Sequence, residues 1–364
     1  MKVLHISEYA QGGLATYIKT LFSYDGKDNI ENYLLVSEYK SDHQWNIPSD
    51  KVNYYHYKRG LKDILPAMYA IQKHIAKLQP DIIYIHSTWA GVLARFPYLF
   101  RKKNVRVLYN AHGWSFLRDT SGWKKWIYAL IEWGLSLTTD AIINVSDYEY
   151  QSAMNYGLFK SKLIVIHSGI SSKEDCNEVC FEVNTNKINL LFVGRFDPQK
   201  GIDYLLKEIK KCKRKDIHLY VIGDNVVSDG MGIQAINNDR VTFLGWISHD
   251  DVAAYYKACD AVIMPSRWEA FGLVAIEAMK YMKPVIVSDR GALPELVKDK
   301  VNGYVFSMDE NKSLGYILEN LSREKLHALG EKARQVFEEY FTDQHMLKET
   351  IEVYKNATSK SFTF

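Results

Sequence analysis

Residues 261–295 constrain the fold of this chain more than any other stretch. Ala261 to Met264 is an apolar run that Pro265 stops, so it predicts a short buried strand. Ser266 to Phe271 reads as a loop. From Gly272 to Met282, the apolar residues Leu273, Ile276, Met279 and Met282 recur at helical spacing. Pro284 to Val287 is a second apolar run. Strand, loop, helix and strand in that order form a βαβ unit, which requires a parallel sheet covered by helices.

The loop and helix of this unit carry a pattern suited to an anionic ligand. Phe271, Gly272 and Leu273 place backbone N–H groups at a helix start, where they have no intrahelical acceptor and the helix dipole adds positive character. A phosphate fits such an end, and Gly272 lets it approach the backbone closely. Glu269 precedes this seat and Glu277 follows it about a turn and a half into the helix. Carboxylates beside a phosphate seat suit ligand hydroxyls, as on a ribose and a sugar. Two solvated surface glutamates are the plain alternative.

Glu269, seven intervening residues, Glu277, with Phe271-Gly272 between them, resembles the signature of the retaining glycosyltransferases of family 4. The resemblance implies an α/β chain with the GT-B fold: two facing Rossmann-like domains with parallel sheets and a deep interdomain cleft. It also implies that Glu269 holds sugar hydroxyls and Glu277 the ribose.

The rest of the chain suits two such domains. At 364 residues, two domains are expected. The sequence predicts a first domain over 1–170, with a C-terminal helix at about 345–364 crossing back to it, and a second over 171–344. Strands are expected over Lys2–Ser7, Tyr33–Val36, Val52–Tyr57, Ile82–His86 and Val105–Asn110. Further strands are expected over Ala141–Val145 and Leu163–Ile166. Asn189–Val193 then begins a second sheet, and Lys312–Tyr340 reads as one amphipathic helical stretch, with a terminal helix over Phe341–Lys355.

Several loops at predicted strand ends carry further candidates. Gly12 and Gly13 follow the first strand and form either an anion seat or a plain tight turn; the pair is not a dinucleotide fingerprint. The family carries such a pair near the donor's diphosphate. His86 and His112 sit at carboxyl ends of predicted strands, where open α/β sheets bind ligands. His86 suits a structural hydrogen bond equally well. His112, followed by Gly113, resembles a family position that faces the donor sugar. In Gly194-Arg195-Phe196-Asp197-Pro198-Gln199-Lys200-Gly201, the cations Arg195 and Lys200 can neutralise a diphosphate. This loop resembles the family's diphosphate-binding loop. Trp246 and Ile247 lie in the segment that the family places near the nucleobase.

Charge is uneven. Residues 1–168 carry 20 basic and 14 acidic side chains, a net +6, whereas residues 169–364 carry a net −3. Arg101, Lys102 and Lys103 lie close in sequence to the segment Trp123-Lys124-Lys125-Trp126, in which Trp126, Leu130, Trp133 and Leu137 share one helical stripe. Tryptophan with lysine suits a membrane interface, and the same stripe also fits a helix packed on the sheet. There is no apolar run long enough for a transmembrane helix, and the first strand starts at once, which does not resemble a signal peptide. Four cysteines make no disulfide framework. Cys176 and Cys180 have ligand-like spacing without a second pair, so no metal site is expected.

There is no Asp-x-Asp, the simplest clamp for a metal diphosphate. Glu269, His112, Arg195 and Lys200 are the expected catalytic residues, and no cofactor or metal is expected. The family resemblance implies transfer of a hexose or N-acetylhexosamine from a nucleotide sugar, taken here as a UDP-sugar. The expected acceptor is a saccharide, polyprenyl-diphosphate-linked, in O-antigen, capsule or exopolysaccharide synthesis. The expected place is the cytoplasm, peripheral on the inner face of the membrane, with no nucleic acid partner. A nucleotide-sugar epimerase or sucrose-type synthase is the rival enzyme. A basic membrane- or nucleic-acid-binding module is the rival without activity, and it leaves Arg195, Lys200, Glu269 and Glu277 without a role.

Overall fold

A computed structural model describes residues 1–173, 181–224, 238–248, 251–309 and 313–358. Cys176 and Cys180 lie outside the described residues, as does part of the polar run that follows Ile170. The chain divides into two compact units, one comprising Met1–Ile170 with the C-terminal segment from Asp343, the other Ser171–Thr342.

The first unit is a parallel sheet of seven strands: β1 (Lys2–Ser7), β2 (Glu31–Ser37), β3 (Val52–Tyr55), β4 (Ile82–His86), β5 (Arg106–Asn110), β6 (Ala141–Asn144) and β7 (Leu163–Val165). Their spatial order is β3-β2-β1-β4-β5-β6-β7. The strands read as continuous apolar runs because both faces are covered. On one face the helices Ile64–Leu78, Thr88–Arg95 and Gly122–Ser136 supply Ile71, Leu93 and Ala129 to a core with Ile83, Val107 and Ile142. On the other, the terminal helix Asp343–Thr358 buries Met346, Ile351 and Tyr354 against Val3, Ile82, Tyr84 and Leu108.

The second unit repeats the plan with six strands: β8 (Ile188–Val193), β9 (Ile217–Ile222), β10 (Val241–Gly245), β11 (Ala261–Met264), β12 (Val285–Ser288) and β13 (Gly303–Phe306). The order β10-β9-β8-β11-β12-β13 is again parallel throughout. In each sheet the strand order reverses once, between β1 and β4 and between β8 and β11. Such a switch point leaves a crevice at the strands' carboxyl ends, where open α/β sheets take their ligands.

Some expected bounds shift. The stretch expected as one helix over Lys312–Tyr340 is two, Leu314–Glu319 and Arg323–Tyr340. Ser322 separates them because its side chain accepts from Lys325 N and so caps the second helix. The third strand stops at Tyr55, two residues earlier than expected. The terminal helix starts at Asp343 rather than Phe341, whose side chain is buried beside Phe271 at 5.8 Å.

Candidate active site

At the switch point of the second unit, two loops meet. The loop after β8 carries Gly194 to Lys200, and the loop after β11 carries Pro265 to Gly272. Lys200 Nζ lies 2.5 Å from Glu269 Oε1, and Ser266 Oγ donates to the same oxygen at 2.9 Å. Glu269 is buried, and its Oε2 accepts no hydrogen bond among the described residues. The two loops are tied by backbone as well, Arg267 N donating to Gln199 O at 2.7 Å, and the loop after β12 joins them through Ala292 N, which donates to Glu269 O at 3.0 Å. Gly291, at φ +62°, is required here because a Cβ would fall 2.3 Å from Glu269 O.

Gly272 caps the helix Leu273–Lys280 at φ +114°, a left-handed conformation that other residues rarely adopt, and no side chain caps this end. Five residues beyond Gly272, the half-buried Glu277 accepts from Tyr256 OH at 2.7 Å through Oε2. Burial, and then the neighbouring carboxylate, hold the Tyr256 phenol well above its ordinary range, so it stays a donor. Glu277 Oε1 accepts no hydrogen bond among the described residues.

Arg195 is exposed and held by its own loop, 3.0 Å from Asp197 Oδ2 and 3.3 Å from Gln199 Oε1. Gly194 lies half-buried at the start of this loop, its absent Cβ 3.6 Å from Lys200 Cγ. Trp246 is exposed and Ile247 half-buried just past β10. Phe271 contributes core packing through its side chain.

In the first unit, the loop after β5 carries His112. Its backbone lies in the left-handed region, at φ +50°, and three hydrogen bonds hold the loop around it. His112 N donates to Asn110 Oδ1 at 2.9 Å, Trp114 N to Glu149 Oε1 at 3.1 Å, and Trp114 Nε1 to Asn144 Oδ1 at 3.1 Å. A non-glycine residue in that region costs about 1–3 kcal/mol and persists only where its surroundings over-determine it. Burial lowers the His112 imidazole to about 3, so it is neutral at pH 7. His86, fully buried, bonds His112 Nε2 through Nδ1 at 3.0 Å.

The loop after β1 carries Gly12 and Gly13. Gly12 starts the helix Gly13–Phe22 without a side-chain cap. The same loop holds a carboxylate that sequence reasoning missed: Glu8, buried, with Oε1 2.5 Å and Oε2 3.2 Å from the Arg59 guanidinium. An acid immediately past a first strand was the available signal.

Two family descriptions match this sequence. "Glycosyltransferase Family 4" matches residues 11–174, and "Glycosyl transferases group 1" matches residues 180–340. A protein of Klebsiella pneumoniae, described as an uncharacterized 41.2 kDa protein in a cps region, is 34% identical and covers 98% of this chain and 100% of its own length. An uncharacterized glycosyltransferase of Methanocaldococcus jannaschii is 30% identical over 92% of this chain and 93% of its own. This chain is a family 4 glycosyltransferase. Its fold matches that of HepE of Anabaena, solved in complex with UDP, with a TM-score of 0.78 over 98% of this chain and 100% of that one, at 18% identity. The transferase is thus of the GT-B type, as its resemblance implies.

The remaining candidates of the transferase lie on the helix Gly122–Ser136 and, at Arg101 to Lys103, just before β5. Its inner face is Ala129, Glu132, Leu135 and Ser136. Glu132 is buried in an ion pair with Arg95 at 2.7 Å and accepts from Tyr109 OH at 2.8 Å, and the Arg95 guanidinium sits 3.6 Å from the centre of the Tyr109 ring. Removing one partner of such a pair costs about 3–5 kcal/mol. With that face turned inward, the tryptophan stripe faces out: Trp126 is 63%, Leu130 66%, Trp133 40% and Leu137 54% exposed, and Trp123 beside it 64%. The stripe is therefore not the one that packs on the sheet. Lys102 and Lys124 are exposed and Lys125 half-buried. Lys103, expected among the surface cations, is instead committed to the fold, 2.5 Å from Asp140 Oδ2 and 2.9 Å from Thr138 O. Arg101 reaches Gln72 Oε1. Leu61, Leu65 and Tyr69 are also exposed on or just before the helix Ile64–Leu78, which covers the same sheet face. Their spacing of four residues places them on one helical stripe. No helix among the described residues is long and apolar enough to cross a membrane.

Proposed function

We propose that this transferase moves a hexose or N-acetylhexosamine from a UDP-sugar to a lipid-linked saccharide, with retention and without a metal. The observation that carries the donor half is the Lys200–Glu269 pair, whose Glu269 shares a loop with the uncapped helix start at Gly272, with Glu277 on that helix. A cation and unpaired amides suit a diphosphate, and the free carboxylate oxygens of Glu269 and Glu277 suit sugar and ribose hydroxyls. HepE, of similar fold, was solved with UDP.

In the proposed reaction the bond between the anomeric carbon and the β-phosphate oxygen breaks, and its electron pair leaves with UDP. The acceptor oxygen bonds to the anomeric carbon on the same face, and its proton passes to the departing phosphate oxygen. The transition state is oxocarbenium-like, so charge grows on the diphosphate. Lys200, Arg195 and the amides of Leu273 and Val274 stabilise that charge without a metal clamp. Glu269 orients the sugar, and for His112 the family resemblance implies a sugar contact.

The acceptor half rests on the outward face of the first unit. Tryptophans favour the headgroup layer, and each basic side chain near an anionic surface adds about 1 kcal/mol. Several together hold a protein on a membrane reversibly. A relative in a cps region suits a surface-polysaccharide role at the inner membrane face. Incubating the pure protein with a panel of nucleotide sugars and scoring slow donor hydrolysis tests the donor half. Turnover of UDP-sugars supports it, and turnover of none, or only of sugars on other bases, rejects it.

A further inference from the structure

Three histidines form a hydrogen-bonded chain across the first sheet. Asn32 on β2, His5 on β1, His86 on β4 and His112 just past β5 stand on four neighbouring strands or their ends. His5 Nε2 lies 3.1 Å from Asn32 Oδ1, His5 Nδ1 lies 3.0 Å from His86 Nε2, and His86 Nδ1 lies 3.0 Å from His112 Nε2. The His5 and His86 rings are stacked, 5.3 Å apart and 8° from parallel, and Tyr17 packs edge-on to His112 at 4.6 Å. His5, His86 and Asn32 are buried.

Each gap between two ring nitrogens holds one proton, and a neutral imidazole has one donor and one acceptor. The orientation of any one ring therefore dictates all the others. The carboxamide oxygen of Asn32 is an acceptor only, so His5 must carry its proton on Nε2. Its Nδ1 is then bare and accepts from His86 Nε2–H, and His86 Nδ1 in turn accepts from His112 Nε2–H. The chain ends with a lone pair on His112 Nδ1, which has no partner among the described residues. Burial keeps all three rings neutral at pH 7: His5 is lowered to about 4, His112 to about 3, and His86 well below its ordinary value.

We propose that Asn32, His5 and His86 are positioning residues that fix His112 in its Nε2–H tautomer, so that Nδ1 faces the ligand as an acceptor only. Resting on the sugar contact proposed above, this adds a selectivity. His112 takes a hydroxyl, which can donate, and disfavours a carboxylate or carbonyl, which cannot. The transferred sugar therefore carries a free hydroxyl there, unlike a uronate's carboxylate.

The tautomers are readable without any donor. The full chain, labelled with ¹⁵N-histidine, is studied by long-range ¹H–¹⁵N correlation at pH 7, with His5→Gln, His86→Gln and His112→Gln used for assignment. All three rings are expected neutral and Nε2-protonated. Asn32→Leu removes the terminal acceptor and is expected to populate the Nδ1–H form of His112. It should lower turnover of a UDP-hexose at least tenfold while leaving affinity for UDP alone unchanged. Asn32→Asp keeps an acceptor there and should restore both the tautomer and most of the turnover. An Nδ1–H form of His112 in the unmodified protein would overturn the proposal. So would an Asn32→Leu variant with unchanged tautomer, or with altered tautomer and full turnover. A protein that turns over no nucleotide sugar but shows the Nε2–H chain would keep the relay and refute only its link to the sugar.

Discussion

Lys200 Nζ and Glu269 Oε1 are 2.5 Å apart at the point where the strand order of the second sheet reverses. The pair joins the loops after β8 and β11, and both side chains are largely shielded from water. Two charges there do more than attract each other. In the proposed reading Lys200 meets the leaving diphosphate and Glu269 the sugar, so the pair couples the two halves of the donor site.

Lys200→Ala is therefore expected to lower turnover of a UDP-sugar by 100-fold or more and donor affinity by less, because diphosphate charge grows in the transition state. The change also strands Glu269, at a stability cost of about 3–5 kcal/mol. Combining Lys200→Ala with Glu269→Gln should recover stability but not turnover. Steady-state kinetics and urea unfolding of the three variants check this. Equal losses in kcat and KM-derived affinity would contradict the assigned role of Lys200.

Glu277 presents one oxygen to Tyr256, and in the proposed reading the other takes a ribose hydroxyl. Hydrogen bonds to charged groups contribute roughly 1.5–3 kcal/mol, so Glu277→Ala should weaken UDP binding about tenfold or more. Tyr256→Phe leaves the ligand-facing oxygen in place and should weaken binding far less. Isothermal calorimetry with UDP measures both. An unchanged Kd for Glu277→Ala would remove the ribose role.

How the βαβ units were legible in sequence follows from their chemistry. A central parallel strand is apolar on both faces, so Ile82–Ile85 and Val262–Met264 stand out without any partner being known. Glu269, Gly272 and Glu277 were legible because strand, loop and helix fix their separation. The Lys200–Glu269 pair was not, since its members are 69 residues apart and meet only through strand order. Asn32, His5 and His86 come together for the same reason. The direction of the tryptophan helix was also hidden: Glu132 looks like a surface acid until Arg95, on another helix, is placed beside it.

Acid should weaken the fold. Unfolded histidines protonate near pH 6.5, whereas folded His5 does so at about 4 and His112 at about 3. Folded values below unfolded ones mean that this stability is fully present above pH 6.5. It is lost as pH falls from there towards 4, and the loss levels off below about 3. A buried histidine contributes up to about 1.4 kcal/mol per pH unit within that window, and half-exposed His112 contributes less. Urea midpoints measured at pH 7, 6 and 5 should fall steadily. A flat or rising series would mean that these rings are protonated in the folded protein.

The outward aromatic face predicts reversible membrane binding, screened by salt. The protein should co-sediment with anionic vesicles at low salt and detach at high salt. Changing Lys102, Lys124 and Lys125 to Glu should weaken binding several-fold, as should changing Trp123 and Trp126 to Ser. Lys103→Glu would disturb Asp140 and is a poor probe. Equal sedimentation of the charge variants would reject this face as the contact.

Donor chemistry at the Lys200–Glu269 crevice is most directly tested by proton NMR of a UDP-hexose incubated with the pure protein and EDTA. Before the released sugar mutarotates, its anomeric signal should show the configuration of the donor, and Lys200→Ala should abolish the signal. No release in the presence of EDTA, or a first-formed sugar of the opposite configuration, would contradict metal-free transfer with retention.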